Sequence, residues 1–134
     1  MIPPLLVDEN VGRRHKEALL RHGFDLRTHE DIGLPRGTND QAWIEAAGSH
    51  GWAALSTDIK QSRRTNEWRA IQNGRVKHVV VHAKRMTGAL AAEIVEQHVI
   101  ALKVVLAHLP PPYTLRLLQN NVQLRSYHVQ SDTE

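Results

Sequence analysis

The apolar positions of this chain fall into short continuous runs separated by stretches with helical spacing. Leu5-Leu6-Val7 is the first run, unbroken in apolarity as buried parallel strands are. Val11, His15, Ala18, Leu19 and His22 follow at helical spacing, and Gly23 stops them. Residues 24–28 alternate apolar and polar, which predicts a second strand with one face less buried. Gly33, Pro35 and Gly37 break any regular pattern between His29 and Gly37. Thr38, with Gln41 three positions later, matches a capping box, and Ala42, Trp43, Ala46 and Ala47 supply the apolar face of the helix it opens. Ser49-His50-Gly51 closes that helix. Residues 52–56 read as a third strand, with Thr57-Asp58 at its carboxyl end.

Residues 59–72 are helical in pattern and basic, and Asn73-Gly74 closes them. A fourth strand covers residues 76–82 around Val79-Val80-Val81. The longest helix is predicted over 87–108, and its apolar stripe is wider than one sheet contact requires. It is expected to cover the sheet and a neighbouring helix, or to meet a partner chain. Pro110-Pro111-Pro112 ends it, and residues 114–118 and 122–127 predict a hairpin around Asn120-Asn121. Residues 130–134 are polar and expected to fray. Strands alternating with helices predict one α/β domain over residues 1–134: a three-layer α/β/α arrangement with a mainly parallel sheet and the C-terminal hairpin at one edge.

Composition narrows the chemistry only a little. Lys and Arg number 17 against 14 Asp and Glu, a basic excess that permits a nucleic-acid partner without demanding one. The absence of cysteine excludes disulfides and thiolate zinc sites. No basic stretch precedes an apolar core at the N-terminus, and no run approaches the ~20 apolar residues of a membrane span. A soluble, cytoplasmic protein is the expectation.

The chemistry concentrates on three acids set apart by position. Asp8 follows the first strand, Asp40 lies in the first turn of a helix, and Asp58 follows the third strand. In open α/β sheets ligands bind in the crevice beyond the carboxyl ends of the strands, so these acids are placed for chemistry rather than packing. Asp8 or Asn10 simply capping the next helix is the plain alternative. Clustered carboxylates repel unless a cation neutralises them, and hard divalent ions such as Mg²⁺ or Mn²⁺ prefer oxygen ligands. Such an ion can activate a water and stabilise charge on a phosphate being cleaved.

Leu5-Leu6-Val7-Asp8-Glu9-Asn10, His22-Gly23-Phe24-Asp25, Asn39-Asp40 and Leu55-Ser56-Thr57-Asp58, in this order and spacing, resemble the PIN-like nuclease domain. More narrowly, they resemble the short PIN-like proteins found as toxins in bacterial toxin–antitoxin pairs. The resemblance covers residues 5–82 by motif. It implies a metal-dependent endoribonuclease in which Asp8, Asp40 and Asp58 bind Mg²⁺ or Mn²⁺. It also implies positioning roles for Ser56, just before the third acid, and for Asn10, just after the first. An RNA substrate and a cognate antitoxin are the implied partners, with the helix at 87–108 offering surface for the antitoxin or for a homodimer. Close relatives often carry an Asp two residues after the third acid, where this chain has Lys60.

Arg13, Arg14, Lys60, Arg63 and Arg64 flank the two acidic strand ends and are the expected holders of an RNA backbone, against the alternative of solvated helix faces. Glu9 is expected to point away from Asp8. The nine histidines show no recognised ligand spacing and read as surface or edge residues. Trp43 and Trp52 read as core, while Trp68 is left open between core packing and base stacking. Two rival readings remain. One is a PIN-like module that binds RNA or protein without cleaving, which Lys60 keeps alive. The other is a receiver-type signalling domain, with Asp58 as phosphoacceptor and Lys84 as its late lysine.

Overall fold

A computed structural model gives the fold and describes residues 1–59 and 64–127. Its sheet consists of β1 (Leu5–Val7), β2 (Leu26–Arg27), β3 (Ala53–Ser56), β4 (Lys77–Val81), β5 (Tyr113–Leu118) and β6 (Asn121–Ser126), in the order β2-β1-β3-β4-β5-β6. Every pairing from β2 to β5 is parallel, and β6 returns antiparallel along β5 as the edge hairpin. Helices α1 (Arg13–Arg21), α2 (Asp40–Ser49), α3 (Thr65–Asn73) and α4 (Gly88–His108) cover the two faces.

The period-two geometry of the strands sorts the apolar runs into two cores. Leu5, Val7, Leu55, Val79 and Val81 face one side, under Ala18 and Leu19 of α1 and Ile94, Val95, Leu102 and Leu106 of α4. Leu6 and Ala54 face the other, against Trp43 and Ile44 of α2 and Ala70 and Ile71 of α3. With both faces covered, each fully buried leucine contributes about 1.5–3 kcal/mol relative to exposure. The steps from β3 to β4 and from β4 to β5 run the same way along the sheet, yet α3 and α4 lie on opposite faces. The α4 crossover therefore has the opposite hand from that of α3, against the strong bias toward one hand. That placement lays α4 against α1 as well as the sheet and accounts for its wide apolar stripe. Ile100 and Val104 on α4 still face solvent.

Several local expectations shift. The second strand shrinks to Leu26–Arg27, because Thr28 and Asp31 exchange side-chain-to-backbone hydrogen bonds and turn the chain into a single 3₁₀ turn, Glu30–Ile32. The cap of α2 is Asn39 rather than Thr38: Asn39 Oδ1 accepts from the Ala42 N–H at 2.8 Å, while the Thr38 hydroxyl donates to the Pro35 carbonyl. Val11 belongs to the turn that precedes α1, its N–H donating to the Asp8 carbonyl. Of the helix predicted over 59–72, residues 60–63 lie outside the described residues, and α3 begins at Thr65. The tail at 130–134 lies outside them too. The histidines are not all at the surface. His15, His29 and His78 are buried, and His78 Nδ1 lies 3.0 Å from Thr114 Oγ1. Among the described residues, no helix is long and apolar enough to cross a membrane.

Candidate active site

Parallel pairing brings the predicted acids to one edge of the sheet. β1 and β3 are neighbours with Val7 opposite Leu55, so Asp8 and Asp58 both leave the sheet at its carboxyl end. The Asp8 N–H donates to the Leu55 carbonyl at 2.9 Å, continuing the ladder one residue beyond β1. α2 and α3 follow β2 and β3, so their N-termini open at this same edge. Asp40 stands in the first turn of α2 and Glu67 in the first turn of α3.

Asp8 is the most enclosed of these acids, only 7% exposed. Burial, and next the negative charge of Asp40, hold its carboxyl above the ordinary value of 3.8. The N–H groups of Asn10 and Glu9 and the nearby His29 pull the other way without winning. A desolvated carboxylate beside another carboxylate is a site that gains from a cation.

The neighbouring acids are held by partners of their own. The indole N–H of the buried Trp43 donates to Asp40 Oδ1 at 3.0 Å, an i,i+3 contact on one helix face. Ser56, fully buried at the end of β3, accepts the Asp58 N–H on its hydroxyl at 3.0 Å and fixes the turn that carries Asp58. Glu9, expected to point away from Asp8, lines the same cleft: its Oε1 accepts from the Gly37 N–H and lies 3.2 Å from His29 Nδ1, and His29 also acts on Asp8.

The centre of the arrangement is a cation of the chain's own. Arg64 Nη1 lies 3.5 Å from Asp40 Oδ2, 3.6 Å from Asp58 Oδ2 and 3.6 Å from Glu67 Oε1. These are ion pairs longer than a good N–H···O bond, so the nitrogen sits among the three oxygens rather than on any one of them.

The donor set has the chemistry that Mg²⁺ or Mn²⁺ favours, oxygen ligands from several elements around one point. The spacing is that of a guanidinium. Among the described residues, no three His, Asp or Glu side chains stand close enough to share one ion as they are. Asp40, Asp58 and Glu67 would have to draw inward around an ion with bonds of ~2.0–2.1 Å, and Arg64 would have to leave. Asp8 reaches this set through its electrostatic coupling to Asp40.

The predicted basic residues divide. Arg13 is exposed and pairs with Glu17 on its own helix, its Nε 2.8 Å from Oε1. The stem of Arg14 lies alongside Gly88 at the start of α4. Lys60 and Arg63 lie outside the described residues. Asn10 is exposed, and its backbone N–H donates toward Asp8. A cleft of about 470 Å³ opens beside Asp8, with Lys16 and Arg36 on its walls together with Glu9, Thr28 and His29.

Two participants went unread in the sequence. Glu67 lies three residues beyond Arg64 and pairs with it; the i,i+3 spacing of the two was the available signal. Trp43 was read as core only; its Asp-x-x-Trp spacing on a helix was the available signal for the bond to Asp40. Trp68 packs edge-on against Tyr127, with centroids 5.8 Å apart, and is not presented for stacking on a base. A family model described as a PIN like domain matches residues 3–84, which hold all four acids of the cluster. No curated protein and no solved structure matches the chain.

Proposed function

The chain belongs to the PIN like domain family, and from that membership and the gathering of its acids we propose that it is a metal-dependent endoribonuclease, the toxin half of a toxin–antitoxin pair. The observation that carries the reading is the meeting of Asp40, Asp58 and Glu67 around one positively charged nitrogen, with Asp8 coupled to Asp40. The parallel fold brings these strand ends and helix starts to one edge, but it does not require that each of them carry an acid there.

In this reading Asp8, Asp40 and Asp58 hold Mg²⁺ or Mn²⁺, with Glu67 as a further carboxylate. A divalent ion so held supplies Lewis acidity toward a phosphodiester and lowers the pKa of a water. Trp43 fixes the rotamer of Asp40, and Ser56 fixes the backbone from which Asp58 projects, so both acids are oriented before substrate arrives. A cation beside Asp8 would offset the burial and the Asp40 charge that raise its pKa. The cleft cations Lys16 and Arg36 can hold an RNA backbone through its phosphates beside Asp8, and Arg13 and Arg14 are further candidates on α1. Ile100 and Val104 on α4 offer apolar surface to an antitoxin or a second copy.

A second reading draws on Arg64. With a guanidinium already among the acids, the protein would bind RNA or a partner without cleaving. One assay separates the two. Cleavage of RNA that requires Mg²⁺ or Mn²⁺, and that is lost in Asp8→Asn and Asp58→Asn, is expected of the nuclease. Binding without turnover, unchanged by those substitutions, would establish the module.

A further inference from the structure

We propose that Arg64 exchanges partners during function: in the metal-free protein it stands among Asp40, Asp58 and Glu67 in place of the divalent ion, and when the ion enters it turns to the phosphodiester of the substrate. The proposal rests on the metal-dependent reading above.

Three features point to it. First, Nη1 makes the nearest approach to all three acids, at 3.5, 3.6 and 3.6 Å. An arginine kept for structure usually presents its planar fork to a carboxylate with two short bonds. Arg64 instead shares its charge among three acids at distances too long for a good hydrogen bond, committed to none of them.

Second, its hold is loose. The side chain is 49% exposed and attached at the N-cap of α3, so it can leave without disturbing either core. Exposed ion pairs of this length are individually weak. A divalent ion carries twice the charge and makes bonds of ~2.0–2.1 Å to the same oxygens.

Third, the place it would leave for needs a cation. Acids gathered to hold a metal also repel a polyanion, and RNA can approach only where positive charge offsets them. Once freed, the guanidinium keeps the fork that matches two phosphate oxygens, a geometry lysine lacks. Arg64 is thus a positioning residue whose partner depends on whether the ion is bound.

The test is a Mn²⁺ titration of the full chain, followed by the electron paramagnetic resonance signal of free Mn²⁺, on wild type, Arg64→Gln, Arg64→Lys and Asp58→Asn. Circular dichroism melting verifies that each variant is folded. Arg64→Gln is expected to bind Mn²⁺ about tenfold more tightly than wild type, the combined effect of removing three weak ion pairs. Arg64→Lys, which keeps the charge, is expected to stay near wild type, and Asp58→Asn to bind far more weakly. At saturating Mn²⁺, Arg64→Gln is expected to raise the KM for RNA about tenfold, the scale of one charge-assisted phosphate contact. Mn²⁺ affinity that is unchanged or weaker in Arg64→Gln would overturn the exchange while leaving the metal site standing. Tighter Mn²⁺ with an unchanged KM would overturn the move to phosphate. Failure of wild type and Arg64→Gln alike to bind Mn²⁺ would remove the metal-dependent reading itself, and the exchange with it.

Discussion

The indole of Trp43 holds one oxygen of Asp40 at 3.0 Å, which leaves the other oxygen facing Arg64. The residue that fills the core beneath α2 is therefore also the one that aims an acid of the site. Trp43→Phe retains an aromatic ring in the core and deletes only the donor and one ring. A loss of about 1–3 kcal/mol in stability is expected, from a hydrogen bond to a charged group plus the void. The larger effect is expected on function, a drop of ~10–100-fold in metal affinity or cleavage, as for other outer partners of metal ligands. Urea denaturation and metal titration of the same preparation check the two effects. Equal activity in Trp43→Phe would show that Asp40 does not depend on the indole.

Asp8 is held above its ordinary pKa of 3.8 by burial and by Asp40, so folding disfavours its charge. The folded protein then keeps a proton that the unfolded chain has released, and this group's contribution to stability declines as pH rises from 3.8 through the raised folded value. At neutral pH without metal, Asp8 costs stability. Asp8→Asn is accordingly expected to melt a few degrees higher than wild type. Divalent metal should raise the melting point of wild type and leave that of Asp8→Asn almost unmoved. Thermal denaturation with and without Mn²⁺ tests both halves, and a lower melting point for Asp8→Asn without metal would refute the first.

These effects show where the sequence was legible. Continuous apolar runs such as Leu5-Leu6-Val7 and Val79-Val80-Val81 announced the strands, because a strand covered on both faces has no polar positions to alternate. From the strands, the parallel arrangement and its carboxyl edge followed, which is why Asp8 and Asp58 could be read as neighbours. Glu67 and Arg64 could not, because their meeting with Asp40 and Asp58 depends on where α3 stands relative to α2 and the end of β3, which no local pattern fixes. The Asn39 cap was missed for a similar reason. Thr38 and Asn39 both carry capping chemistry, and the choice was made by the Pro35 carbonyl, which occupies the threonine hydroxyl.

The buried histidines give the protein a second pH dependence, opposite in direction. His15 is almost fully enclosed, neither ring nitrogen has a hydrogen-bond partner among the described residues, and burial lowers its pKa from 6.5 to about 4. His78, buried and also near Arg116, is lowered to about 3. The unfolded chain takes up protons near pH 6.5 that the folded protein refuses, so stability is full above 6.5 and falls as pH drops toward 4. Each such histidine costs about 1.4 kcal/mol per pH unit in that window. His15→Leu should flatten the acid limb by one proton and raise stability at pH 7 by about 1–2 kcal/mol, since an unpartnered polar group leaves the interior. Urea midpoints at pH 7 and pH 5 measure this. A wild-type slope retained in His15→Leu would assign the effect to His78 and the remaining groups.

Gly48 ties the stability of the second core to the geometry of the site. A Cβ built there would stand 2.6 Å from the Gly74 carbonyl oxygen and 2.9 Å from a methyl of Val76, so α2 and the end of α3 touch through bare backbone. Any side chain must push these two elements apart, and they are the ones that bring Asp40 and Glu67 to the carboxyl edge. Gly48→Ala would be mildly stabilising in an isolated helix, by ~1 kcal/mol of propensity. Here the clash is expected to prevail, with a net loss of about 1–3 kcal/mol, the usual cost of overfilling a packed contact. Because Gly48 lies at the far end of α2 from Asp40, a helix tilted about this contact moves the acid by more than it moves the glycine. Metal affinity should then fall beyond what the loss of stability explains. Comparing metal affinity for Gly48→Ala and for an equally destabilised variant in the α1–α4 core, such as Leu102→Ala, isolates the effect. Equal affinities in the two would show that the packing of α2 on α3 does not set the position of Asp40.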